Sequence, residues 1–183
     1  MIINRPINIG QTPRGIDSLF LNIGEFFFTD AHCQLHTILG SCIAITLWHP
    51  KYKMGGMCHF VLPGTRDFKR QIEDPSRING RYSDSAMALF ERDAKRYNTK
   101  LSDYQAKIFG GSNMISNSTL AEDDMIGNKN TEAAINHLAE KNIPIMVAHV
   151  GETGHRRIVM DVSSGDVWVK HEPLQKNIPV TRR

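Results

Sequence analysis

The chain has 183 residues, 40% hydrophobic and 22% charged, the balance of a globular protein with one domain and a substantial core. Its 22 basic and 19 acidic side chains leave a net charge of +3, too slight to mark a nucleic-acid-binding surface, and no apolar run is long enough to insert into a membrane. Three cysteines without a secretory signal argue against a disulfide framework, so the expected location is the cytoplasm.

The ends read as loosely held arms, about 1–12 and 172–183, marked by Pro6, Pro13, Pro173 and Pro179. Leu19 to Phe28 alternates enough to give one or two short strands. Leu35 to Leu39 and Ile43 to Trp48 read as strands separated by a break at Gly40-Ser41. Gly55-Gly56 reads as a turn before a strand from Met57 to Leu62. Arg66 to Arg81 is polar and charge-rich, and is read as a surface loop, either bordering a cleft or simply solvated without contact to substrate.

Tyr82, Ala86, Leu89, Phe90, Ala94 and Tyr97 recur at helical spacing, which predicts a helix within 79–97, capped by Asn79 or Ser83. Gln105 to Phe109 is a predicted strand running into Gly110-Gly111. Asn130 to Glu140 is a predicted helix, stopped by Asn142 and Pro144. Ile145 to Val150 is a further strand. Arg156 to Val162 and Asp166 to Lys170 form a predicted hairpin around Ser163-Ser164-Gly165. Strands, helix, strand, helix, strand and hairpin make an α+β chain rather than a regular βαβ alternation. No GxGxxG or GxxxxGK[ST] string occurs, so no phosphate-cradling loop is expected.

Cys42 follows Gly40-Ser41 at the break between two predicted strands. A nucleophile on such a turn has backbone N–H groups close by to meet an oxyanion. A thiol near neutral pH needs a base, and His59, mid-strand in MCHFVL, meets that need if the two strands are neighbours. A cysteine among Ile43, Ala44 and Ile45 is nonetheless more often an inert core filler, and Thr37 on a strand is ordinarily just a β-former. Spacing alone leaves the dyad open. The rival chemistry is a metal site drawn from Cys33, His36, Cys58 and His59. Its second half is an adjacent Cys-His pair, which rarely supplies two ligands to one ion.

Five strings in order resemble the CheD family: LGSCIAI from Leu39, GGMCHFVLP from Gly55, KIFGGSNM from Lys107, IGNKN from Ile126 and GETGHRRIVMDVSSGDVWVK from Gly151. The resemblance covers about 37–170. It implies a layered α/β/β sandwich similar to the cytotoxic necrotizing factor deamidase toxins, filling 1–183 as a single deamidase domain. It implies deamidation of selected glutamine side chains to glutamate on methyl-accepting chemotaxis receptors, a protein-glutamine glutaminase activity through a cysteine thioester, with no cofactor and no metal. Carried over by motif, the nucleophile is Cys42, the histidine is His59 and the third member is Thr37. Cys58 stands where the family commonly has asparagine, which sets a rival thiol beside the histidine. The family also implies a possible CheC-type phosphatase partner. A non-enzymatic adaptor binding such chemotaxis proteins is therefore the alternative from another class, and a small-amide hydrolase using the same dyad is a third reading.

Overall fold

Alternation decides which side chains the strands bury. In β3 (Cys33–Leu39), Cys33, Leu35, Thr37 and Leu39 are buried and the residues between them are not, as expected of a sheet covered on one face. In β4 (Ile43–His49) and β5 (Met54–Phe60) nearly every residue is buried, so that sheet is covered on both faces. The protein is described by a computed structural model over residues 17–30, 32–65, 68–74, 78–114 and 125–173. The remaining residues of both predicted arms lie outside these ranges.

Two sheets result. One has the order β1 (Asp17–Phe20), β3, β8 (His155–Asp161), β9 (Val167–Glu172). The other has the order β2 (Phe26–Thr29), β5, β4, β6 (Gln105–Gly110), β7 (Ile145–Val150). Pairing is antiparallel except for β1 with β3 and β6 with β7. Three α-helices, α1 (Phe68–Glu73), α2 (Ser83–Arg96) and α3 (Ile126–Glu140), and one 3-10 turn at Leu101–Asp103 complete the described elements. The expected α+β class is what is observed. None of these helices is long and apolar enough to cross a membrane.

The five-stranded sheet is the middle layer. Ile43, Ile45, Leu47, Cys58, Phe60, Ala106 and Ile108 pack with Ala86, Phe90, Ala134 and Leu138 of the helices. On its other face, Ala44, Met57 and Phe109 pack with Leu35, Leu39, Ile158 and Met160 of the four-stranded sheet. Two hydrophobic cores therefore lie on opposite sides of β4 and β5.

Several boundaries differ from the sequence reading. Gly55 and Gly56 are interior residues of β5, not a turn before it. A Cβ on Gly55 would lie 2.2 Å from the Leu47 carbonyl oxygen, and one on Gly56 would lie 2.2 Å from that of Phe27. Glycine here admits close backbone approach on both sides of a central strand. The stretch read as a surface loop contains α1. Helix α2 begins after Tyr82 with no side-chain cap hydrogen bond. Helix α3 starts at Ile126, ahead of Asn130, and its Gly127 lies against the Gly111 backbone.

Candidate active site

The register of β4 on β5 pairs Ile43 with Phe60 and Ala44 with His59. Extended by one residue, it sets Cys42 opposite Val61. Side chains alternate across a strand, so Cys42, Ala44, His59 and Val61 share the face that looks toward the four-stranded sheet. Cys42 and His59 are then diagonal neighbours, roughly 7–8 Å apart or somewhat less at Cβ, a gap that a thiol and an imidazole extend into from both sides. Thr37 reaches the same space from β3. The three residues expected from the sequence converge between the sheets.

Thr37 sets the tautomer of the histidine. Its Oγ1 lies 2.7 Å from the Leu21 carbonyl oxygen, to which it donates, and 2.9 Å from His59 Nδ1. The hydroxyl has one hydrogen, and the carbonyl takes it. Nδ1 must therefore carry the proton and donate to Thr37 Oγ1. Nε2 is left as a lone-pair acceptor, and among the described residues this buried atom has no hydrogen-bond partner. Such an atom is costly to bury without a partner, and it is the atom that a general base needs.

Burial pushes the His59 imidazole down to about 4, against the Leu21 carbonyl and the Glu25 carboxylate, which favour the proton. The ring is neutral near pH 7 and able to accept. Burial also raises the Cys42 thiol, while its own backbone N–H and the Arg81 guanidinium pull it down. The resting pair is a neutral thiol beside a neutral imidazole.

The lowered histidine makes a stability prediction. Its ordinary value is 6.5 and its folded value about 4. Between these the unfolded chain binds more protons, so the stability contributed by the neutral ring is complete above pH 6.5 and is lost as pH falls through this window. The expected loss is ~3 kcal/mol. Urea unfolding at pH 7 and pH 4 measures it, and the difference between the protein and His59→Gln isolates it from the carboxylates.

Cys58 is adjacent in sequence but pairs with Ile45 and points the other way, into the helix-side core. It is 1% exposed, and burial pushes its thiol up to about 12. The rival thiol is thus separated from the imidazole by the sheet itself. The metal alternative gains no geometry, since Cys58 and His59 lie on opposite faces. Among the described residues, no group of His, Cys, Asp and Glu is placed to hold a metal ion.

Two further residues support the turn that carries Cys42, and sequence reasoning missed both. Asn130 of α3 is completely buried and donates through Nδ2 to the carbonyls of Ser41 and Val61, each at 3.0 Å. These residues immediately precede Cys42 and face it across the register. One amide thus ties the helix to both strand ends. The available signal was a polar residue on the stripe of Ala134 and Leu138. Arg156 of β8, also completely buried, donates to His149 Nδ1 at 2.8 Å and to Ser112 Oγ, and pairs with Glu152 at 3.3 Å. Ser112 N–H in turn donates to the Gly40 carbonyl. The signal was an arginine in register with the inward-facing Ile158 and Met160. Gly110, at φ 111°, completes the support, since a Cβ there would lie 2.1 Å from the Cys42 carbonyl oxygen.

Comparison with known proteins places the chain by sequence. The family model described as CheD chemotactic sensory transduction matches residues 61–171. A Dechloromonas aromatica protein described as probable chemoreceptor glutamine deamidase CheD 3 is 40% identical over 161 residues, 88% of this chain and 91% of its own. A Pseudomonas syringae pv. syringae protein described as probable chemoreceptor glutamine deamidase CheD is 40% identical over 168 residues, 90% of each chain. An Albidiferax ferrireducens relative, described as probable chemoreceptor glutamine deamidase CheD 2, is 42% identical over 150 residues, 82% of this chain and 84% of its own.

Proposed function

Because this chain belongs to the CheD family, we propose that it is a protein-glutamine glutaminase that converts glutamine side chains of methyl-accepting chemotaxis receptors to glutamate. The observation that carries this reading is the Thr37–His59 hydrogen bond. It leaves a base lone pair buried on the face of the sheet where Cys42 lies. The relatives' descriptions supply the substrate class.

In the proposed reaction, His59 Nε2 takes the thiol proton as Cys42 sulfur attacks the glutamine Cδ. The carbonyl π electrons move to oxygen. The Cys42 backbone N–H, which also favours its own thiolate, is taken as a donor to that oxyanion. Collapse of the adduct breaks the C–N bond while His59 returns the proton to nitrogen, and ammonia leaves. His59 then takes a proton from water. The hydroxide cleaves the thioester to a carboxylic acid, and the proton returns to the Cys42 thiol. Thr37 holds the imidazole in the reactive tautomer throughout, the orienting role of a third residue. No cofactor or metal enters these steps.

The same reading takes the chain as one deamidase domain and extends its α/β/β layering to a likeness with the cytotoxic necrotizing factor deamidase toxins. A CheC-type phosphatase seated over this cleft would exclude the receptor, which makes such a partner an inhibitor here rather than evidence for a pure adaptor.

Incubation with a purified receptor cytoplasmic fragment tests the activity. The expected result is ammonia release, matched by the mass change of amide-to-acid exchange at defined glutamines. A receptor whose mass is unchanged, with tight binding of a CheC-type protein, would favour the adaptor.

A further inference from the structure

A cation, Arg81, lies near enough to Cys42 to act on its thiol, yet takes no proton or bond in the proposed reaction. Arg81 precedes α2, and its carbonyl accepts from the N–H groups of Val61 and Leu62. Val61 is the residue opposite Cys42. The side chain runs back over the loop between β1 and β2: a Cβ on Gly24 would lie 2.7 Å from Arg81 Cγ and 3.7 Å from its Nε. Gly24 N–H itself donates to the His59 carbonyl. Arg81 therefore bridges the backbone beside His59 and the backbone facing Cys42.

Arg81 is exposed, and among the described residues its guanidinium has no hydrogen-bond or ion-pair partner. The carboxylates on adjoining elements are committed elsewhere. Glu25 accepts from Asn22 N–H at 2.8 Å and from Asn22 Nδ2 at 3.2 Å. Asp84 accepts from the Thr65 and Ser85 backbone N–H groups. Two exposed apolar side chains lie on neighbouring segments. Ile23 is 43% exposed in the β1–β2 loop, and Met114 is 41% exposed and covers Gly40.

From this geometry we infer that Arg81 anchors the substrate, pairing with an acidic side chain within about one helical turn of the target glutamine on the receptor helix. The inference rests on the deamidase reading and adds the chemistry by which a glutamine is chosen. Ile23 and Met114 supply the apolar contact for the same helix. An arginine suits the role, because its planar fork matches a carboxylate. A glutamine on a helix without such an acid reaches Cys42 with no anchor.

The test uses the receptor cytoplasmic fragment with its glutamines intact. Arg81→Ala is expected to raise KM about three-fold, as for an exposed pair, and Arg81→Glu about ten-fold or more through like-charge repulsion. Both effects fall more on KM than on kcat and shrink with added salt. A receptor in which the neighbouring acid is replaced by lysine recovers turnover with Arg81→Glu and loses it with the unaltered protein. Unchanged KM in Arg81→Glu, or recovery by no lysine-substituted receptor, overturns the inference.

Binding of the same fragment to the Cys42→Ala protein reads docking without chemistry. Arg81→Glu in that background should weaken binding about ten-fold, whether or not the unaltered protein turns over. Arg81-dependent binding without turnover would sink the deamidase reading and leave the anchor standing. Turnover with binding indifferent to Arg81, or no binding at all, would sink the anchor.

Discussion

Replacing Cys42 with alanine is expected to reduce receptor deamidation by at least about a thousand-fold, the scale of losing a covalent nucleophile. Replacing Cys58 with alanine is expected to leave the rate unchanged. The contrast follows from one residue of register. Position 59 shares a face with 42, and position 58 faces the helices. Cys58→Ala has its effect on stability instead, about 1 kcal/mol for a small vacancy in a core. Steady-state rates and urea midpoints on the two variants separate the roles. Loss of deamidation in Cys58→Ala with retention in Cys42→Ala would reverse the assignment.

Thr37→Val is the second large effect. It keeps the shape and removes the hydroxyl that accepts from His59 Nδ1 and donates to Leu21. The imidazole is then free to take the other tautomer, with its proton on the atom that must accept. Losing the orienting partner of a catalytic histidine costs up to about 10⁴ in kcat where the partner is a carboxylate. A neutral hydroxyl is a weaker orienter, so a fall in kcat of about 10²-fold is expected, with KM little changed. Thr37→Ser restores the hydroxyl and should recover most of the rate. A Thr37→Val protein with normal kcat would remove Thr37 from the site.

Much of this was legible in the sequence because the signals are local. The strand runs around Cys42, the α2 stripe and the hairpin at Ser163-Ser164-Gly165 all have the expected type. The proximity of Cys42, His59 and Thr37 was not local. It needed the β4–β5 pairing and the stacking of β3 over β5, and the motifs anticipated it through the family alone. The choice between Cys42 and Cys58 was nearly within reach. Once His59 is interior to a strand, alternation forbids Cys58 from sharing its face. Reading Gly55-Gly56 as a turn shortened this strand without altering its alternation, because glycine's common use in turns hides its use where backbones nearly touch. The supports from Asn130 and Arg156 were beyond local reading. Asn130 binds carbonyls 89 and 69 residues away in the chain, and nothing near it in sequence names those partners.

The most direct measurement is site-resolved alkylation. The protein is treated with substoichiometric iodoacetamide at pH 8, and each cysteine is mapped by peptide mass while deamidation is followed. Cys42 should be modified first, deamidation should fall in proportion to its modification, and the receptor fragment should protect it. All three cysteines are buried, so the order rests on the base: Cys42 shares a face with His59, and Cys33 and Cys58 should stay unmodified over the same interval. Loss of deamidation that tracks Cys58, or full activity with Cys42 completely modified, would contradict the central claim.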